Sequence, residues 1–124
     1  MEQMSFFEDI DEREMRRLVV KELKNYRALQ VRMKNRQERN EAGYAVLFPK
    51  MKDDQIHEIK FRQIERALQN SLDEDQREII KMKYLGDKKV KDSYVYNELM
   101  IKRDDFYEKK GSAIRLIATA LEII

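Results

Sequence analysis

Apolar residues recur along this chain at helical rather than strand spacing. Met15, Val19, Leu23, Tyr26, Leu29 and Met33 follow one another at steps of four, four, three, three and four. Such steps return each side chain to one face of an α-helix, so the stretch predicts a helix with a single apolar stripe about five turns long. Leu18 and Val20 widen the stripe. Asp11 stands where an N-cap is needed, and Glu14 three residues on makes a capping-box-like pair with it. Ile10 and Met15 flank the cap as a hydrophobic staple. Phe6 and Phe7 are apolar anchors in the short lead before it.

Beyond Met33 the chain turns polar through Glu41, and Gly43 and Pro49 then bracket Tyr44-Ala45-Val46-Leu47-Phe48. Residues 40–55 read as a linker whose apolar patch docks on a helix, with a short strand as the lesser alternative. Ile56, Ile59, Ile64 and Leu68, with Phe61 beside them, predict a second helix of about 15 residues. Asp73 with Gln76 at the capping-box position opens a third, carried on by Ile79, Ile80, Met82 and Tyr84. Gly86 fits the left-handed residue that ends it. A charged connector around Val90 leads to Asp92 or Ser93, either able to cap a short helix through Leu99. The last helix starts near Lys102 to Asp104, with Phe106, the stem of Lys110, Ala113, Ile117 and Leu121 facing inward. Gly111 in its middle marks a bend or the close approach of another helix.

The chain is therefore expected to be all-α: an N-terminal amphipathic helix over residues 1–39, a linker over 40–55, and a helix-turn-helix bundle over 56–124. The first stripe has two uses, packing on the C-terminal helices or pairing with itself in a homodimer through residues 15–33. Its outer face carries Arg16, Lys24, Arg27 and Lys34, with Arg32 and Arg36 nearby.

Composition narrows the chemistry. Three Gly and one Pro in 124 residues, with 40% charged side chains, suit long solvated helices. There is no Cys, and His57 is the only His. Thiolate metal sites and Cys nucleophiles are therefore ruled out, and one imidazole does not supply the three or four convergent ligands of a zinc site. No Gly-rich phosphate loop or paired-carboxylate motif appears, so neither an enzyme nor a cofactor is expected. No apolar run approaches the roughly 18 residues of a membrane span, and residues 1–10 lack a basic region followed by an apolar one. The expected setting is the cytoplasm, without membrane contact. The net charge is only +2 and evenly spread, at +2 over residues 1–50, −1 over 51–85 and +1 over 86–124. Composition alone does not announce a nucleic-acid partner.

The order of elements adds what composition withholds. Residues 73–85, followed by Val90, Val95, Leu99 and Ala113, resemble region four of sigma factors, which reads promoter DNA with a helix-turn-helix. The chain is more similar to the ArpU-type phage and prophage transcriptional regulators. The likeness rests on Tyr26-Arg27 in the first helix, on Val90-Lys91-Asp92-Ser93-Tyr94-Val95-Tyr96-Asn97-Glu98-Leu99, and on Phe106-Tyr107 with Lys110 and Ala113 after them. It covers the last 50 or so residues well and residues 8–30 loosely. The resemblance implies a regulator of phage late or lysis genes in a bacterial host, bound to double-stranded DNA near a promoter.

A helix-turn-helix lays the N-terminal residues of its second helix against base edges in the major groove. On that model Arg103, Asp104, Tyr107 and Glu108 are candidate base readers, because Arg pairs with guanine and carboxylates accept from cytosine. Lys102, Lys109, Lys110 and Arg115, with Lys88, Lys89 and Lys91 in the connector, are candidate phosphate contacts. Two positions depart from the resembled pattern. Met100 stands where the turn usually has Gly, at an expected cost of about 1–2 kcal/mol if left-handed. Lys102 replaces the usual Ser or Thr cap, leaving Asp104 or Asp105 to cap one turn later. Two other readings use the same fold: a small-terminase-like DNA-packaging protein, and an interaction module that binds RNA polymerase or another protein.

Overall fold

A computed structural model describes residues 10–51 and 55–124; Phe6 and Phe7 lie outside them. Among the described residues all regular structure is helical. Helix α1 spans Glu12–Ala42, α2 Ile56–Asn70, α3 Glu74–Ile80, α4 Asp92–Glu98 and α5 Arg103–Ala120, and a π-helical turn, Lys81–Leu85, continues α3.

The N-caps predicted at Asp11 and Asp73 form, although Glu14 binds Arg17 rather than completing a capping box with Asp11. The Asp11 carboxylate accepts from the Arg13 and Glu14 backbone N–H at 3.0 and 3.2 Å. Asp73 accepts from Gln76 N–H at 2.8 Å while the Gln76 side chain accepts from Asp73 N–H at 3.0 Å, a full capping box. Gln76 is also buried and donates to Ser112 Oγ at 3.3 Å, joining α3 to α5.

The stripe on α1 is used within the chain. Met15, Val19, Leu23 and Tyr26 share one core with Ile64, Leu68 and Leu72, with Ile80, and with Ala113, Ile114, Ile117 and Ala118 of α5. Leu23 is completely buried there, so this part of the stripe is taken up by packing within the chain. Tyr26 stacks on Phe61 of α2, ring centroids 5.5 Å apart. A second cluster of Ile79, Val95 and Phe106, flanked by Val90, Tyr96, Leu99 and Ile101, holds α4 between α3 and α5. Helix α3 contributes to both clusters through adjacent isoleucines and so ties the α4–α5 unit to the α1 core.

Several local expectations are corrected. Helix α1 runs to Ala42, three residues past the expected boundary at 39, because the Lys, Arg, Gln and Glu residues of its polar end are good helix formers even without a buried face. Gly86 is extended (φ −79°, ψ 163°) rather than left-handed, since α3 loosens into the π-turn instead of closing with a cap. Neither Asp92 nor Ser93 caps α4; Lys91 holds the N-cap position without a side-chain bond, and Asp92 is turned toward lysines. Lys102 opens α5 uncapped, with Asp104 and Asp105 inside its first turn. Gly111 sits in a continuous helix with nothing within 4 Å of where a Cβ would lie. The predicted core positions Ile56 and Ile59 are about half exposed, and Val46, Leu47 and Phe48 lie open to solvent.

Candidate nucleic-acid interface

Helix α4, the residues Leu99 to Lys102 and helix α5 form the expected helix-turn-helix. The turn is a Schellman motif. Met100 N–H reaches Asn97 C=O at 3.2 Å and Ile101 N–H reaches Tyr96 C=O at 2.9 Å, which satisfies two carbonyls left over at the end of α4. The motif demands a left-handed residue, and Met100 supplies it at φ +57°. Ile101 and Tyr96 meet in the second core cluster, the apolar contact that usually accompanies this closure.

Phe106, completely buried, fixes the rotation of α5 and thereby decides what the helix shows to solvent. Arg103, Asp104, Tyr107 and Glu108 are all exposed on its first two turns. The Arg103 guanidinium lies 5.8 Å from the centre of the Tyr107 ring, a cation–π contact that holds the side chain along the helix surface. Tyr107 in turn meets Phe106 edge-on at 5.2 Å, which anchors its ring. Tyr94 on α4 and Met100 in the turn are exposed as well.

The seven candidate phosphate contacts divide into two groups. Lys88, Lys89, Lys91 and Lys102 are exposed. The other three face acids of the chain itself: Lys109 meets Asp75 at 3.3 Å, Lys110 meets Asp92 at 3.2 Å, and Arg115 meets Glu12. Lys110 is the most committed, with its side chain only 15% exposed. Its ammonium also lies 5.6 Å from the Phe106 ring centre and 5.7 Å from that of Tyr107.

Asp92 is the hub of this arrangement. Lys83 in the π-turn approaches it to 2.9 Å and also donates to Val90 C=O at 2.7 Å. Burial works to raise the Asp92 carboxyl, but hydrogen bonds from Lys83 and Lys110 outweigh it and hold the group below its ordinary value. One carboxylate thus joins the π-turn, the connector, the start of α4 and the middle of α5. Sequence reading treated Asp92 as a cap and Lys110 as a DNA contact, because its partners lie nine and 18 residues away and carry no local signature. Arg77 was overlooked for the same reason. It donates to the carbonyls of Leu68, Gln69 and Leu72 at 3.1, 3.1 and 2.9 Å, closing the C-terminal end of α2 with one side chain.

No group of His, Asp or Glu among the described residues is arranged to hold a metal ion, and no described helix is long and apolar enough to cross a membrane. His57 is partly buried near the start of α2. Comparison with protein-family models, curated proteins and solved structures finds no match to this chain.

Proposed function

We propose that the chain binds double-stranded DNA through α4 and α5 and regulates transcription, with a phage or prophage role as the resemblance implies. The observation that carries this reading is the bare outer face of the first two turns of α5. Arg103, Asp104, Tyr107 and Glu108 project from a helix whose inner side is locked by Phe106 and whose flank, beside Tyr107, is held by Lys110. Guanidinium, carboxylate and phenol groups at the N-terminal end of a rigid helix can form directional hydrogen bonds with base edges. Lys88, Lys89, Lys91 and Lys102 supply phosphate contacts from the connector and the turn.

Selection of duplexes from a randomised pool tests this reading. A single enriched motif is expected, and Arg103→Ala and Tyr107→Ala are expected to weaken binding to it more than to random DNA. For Arg103 the loss is about 1–3 kcal/mol if it pairs with guanine. No enrichment, with no salt-sensitive binding to any duplex, would reject it. The pairing of Lys109, Lys110 and Arg115 with internal acids favours a second reading, in which the same face docks on RNA polymerase or another protein. Capture of purified polymerase in the absence of DNA separates the two.

A further inference from the structure

The second half of α1 carries arginines at positions 32, 36 and 39, spaced to share one helix face. Residues 45–50 fold back beside that face and enclose with it a cavity of about 210 Å³. Two features of the cavity are out of keeping with an ordinary surface. Arg39 Nε is buried and meets no hydrogen-bond acceptor among the described residues, and a buried unpaired donor costs about 1–3 kcal/mol. The rim is also strongly apolar: Val46 and Leu47 are largely exposed and Phe48 is 77% exposed. Ile56 and Ile59, which begin the apolar stripe of α2, are exposed too. A run of exposed apolar side chains of this kind marks a binding surface.

Charge selects the occupant. Arg36 is offset by Glu58 at 3.3 Å. Arg32 and Arg39 have no ion-pair partner among the described residues. The end of the α1 dipole supplies only about half a negative charge against those two cations. Among the described residues the face therefore keeps a positive charge that an anion would complement. A second copy does not fit, because a two-fold contact would bring the two arginine faces together. Phe48 is the one aromatic ring among the described residues that line the cavity, beside aliphatic Val46 and Leu47, so the face lacks the series of stacking platforms on which successive bases are held. We propose that this face docks an acidic, apolar segment of a partner protein. Carboxylates of the segment bind Arg32 and Arg39, and its aliphatic or aromatic side chains pack on Val46, Leu47 and Phe48.

The probe is a displayed library of random short peptides, selected on the full chain. Enriched peptides are then measured by fluorescence anisotropy. They are expected to carry Asp or Glu next to Leu, Ile or Phe, and to bind less tightly as salt rises. Arg32→Gln with Arg39→Gln, and separately Phe48→Ser, are expected to weaken them about tenfold or more, equal to about 1.4 kcal/mol. Circular dichroism and the thermal midpoint of these surface variants stay near those of the parent. Arg103→Ala is expected to leave peptide affinity unchanged, so that this site and the DNA-binding reading stand or fall separately. The proposal is overturned if no peptide is enriched, if the winners lack acids, or if the variants bind them equally. It is equally overturned if single-stranded DNA competes through the same arginines, or if light scattering shows a dimer that Phe48→Ser dissolves.

Discussion

Met100→Gly isolates the conformational cost at the turn that positions α5. A non-glycine residue held in the left-handed region costs about 1–2 kcal/mol, because its Cβ crowds the following carbonyl. The Met100 side chain is 91% exposed, so deleting it forfeits almost no burial. Glycine returns part of the gain, about 0.4–1 kcal/mol, by widening the unfolded ensemble. The net expectation is stabilisation by about 1 kcal/mol, or a rise in thermal midpoint of about 3–5 °C for a chain of this size. Met100→Ala is the control. It keeps the Cβ and is expected to change stability by less than about 0.5 kcal/mol. Glu122 gives an independent second case. At φ +59° it closes α5 with the same pair of bonds, Glu122 N–H to Thr119 C=O and Ile123 N–H to Ala118 C=O. Urea melts of the parent, Met100→Gly, Met100→Ala and Glu122→Gly decide the matter. If Gly and Ala at position 100 shift the midpoint equally, or Gly lowers it, the turn is not strained in the way its backbone implies.

Other perturbations test contacts that span longer stretches of chain. Arg77→Met keeps the bulk of the side chain but removes three hydrogen bonds, two to α2 carbonyls and one to Leu72 beyond it, and is expected to cost about 2 kcal/mol in urea unfolding. Asp92→Asn leaves Lys83 and Lys110 without their shared anion and is expected to cost about 1–3 kcal/mol. Because the folded Asp92 titrates below the ordinary aspartate value of 3.8, its contribution is complete above that pH and disappears as pH falls through the lower folded value. The parent should therefore lose stability below about pH 4 more steeply than Asp92→Asn, as read from midpoints across acid pH. Gly111→Ala enters open space in mid-helix and is expected to stabilise by about 1 kcal/mol in the same melts.

The helix starts at Asp11 and Asp73 were legible in the sequence, whereas the uncapped starts of α4 and α5 and the residues that close helix ends were not. Asp11 and Asp73 announce themselves because an N-cap is a contact between a carboxylate and amides two or three residues away. Three helix ends instead depend on a residue with positive φ: Gly43, Met100 and Glu122. Only the first is a glycine, while Gly86 is extended and Gly111 lies inside a helix, so glycine positions misdirect. The stripes of α1 and α2 show another limit. Periodicity identified the inward faces of both, yet Ile56 and Ile59 continue the α2 stripe onto a surface that is about half exposed. A pattern reports that a face is apolar, not which molecule covers it. The outward position of Tyr107 follows from its place beside Phe106 in the helix, but the exposure of Arg103, three residues before Phe106, and the commitment of Lys110 to Asp92 required the folded arrangement.

That commitment has a measurable electrostatic consequence. Counting every candidate cation, seven phosphates would be contacted, and affinity for DNA would fall with salt at a log–log slope of about −6. A cation already paired with an internal acid presents a dipole rather than a charge, and displacing the acid leaves a carboxylate beside the phosphate, so such a pair releases almost no net counterion. Removing Lys109, Lys110 and Arg115 from the count leaves Lys88, Lys89, Lys91 and Lys102. The slope expected is then about −4. Fluorescence anisotropy of a labelled duplex over a salt series measures it directly. The exposed pairs of Lys109 and Arg115 are worth about 0–1 kcal/mol each and are the ones most readily exchanged. Lys110, held between Asp92 and two aromatic rings, is not, so Lys110→Ala should lower stability while leaving the slope unchanged. A parent slope near −6 that falls by about one unit in Lys110→Ala would mean that the Asp92 pair opens on DNA, and that the folded ion pairs are a reserve of charge rather than fixed struts.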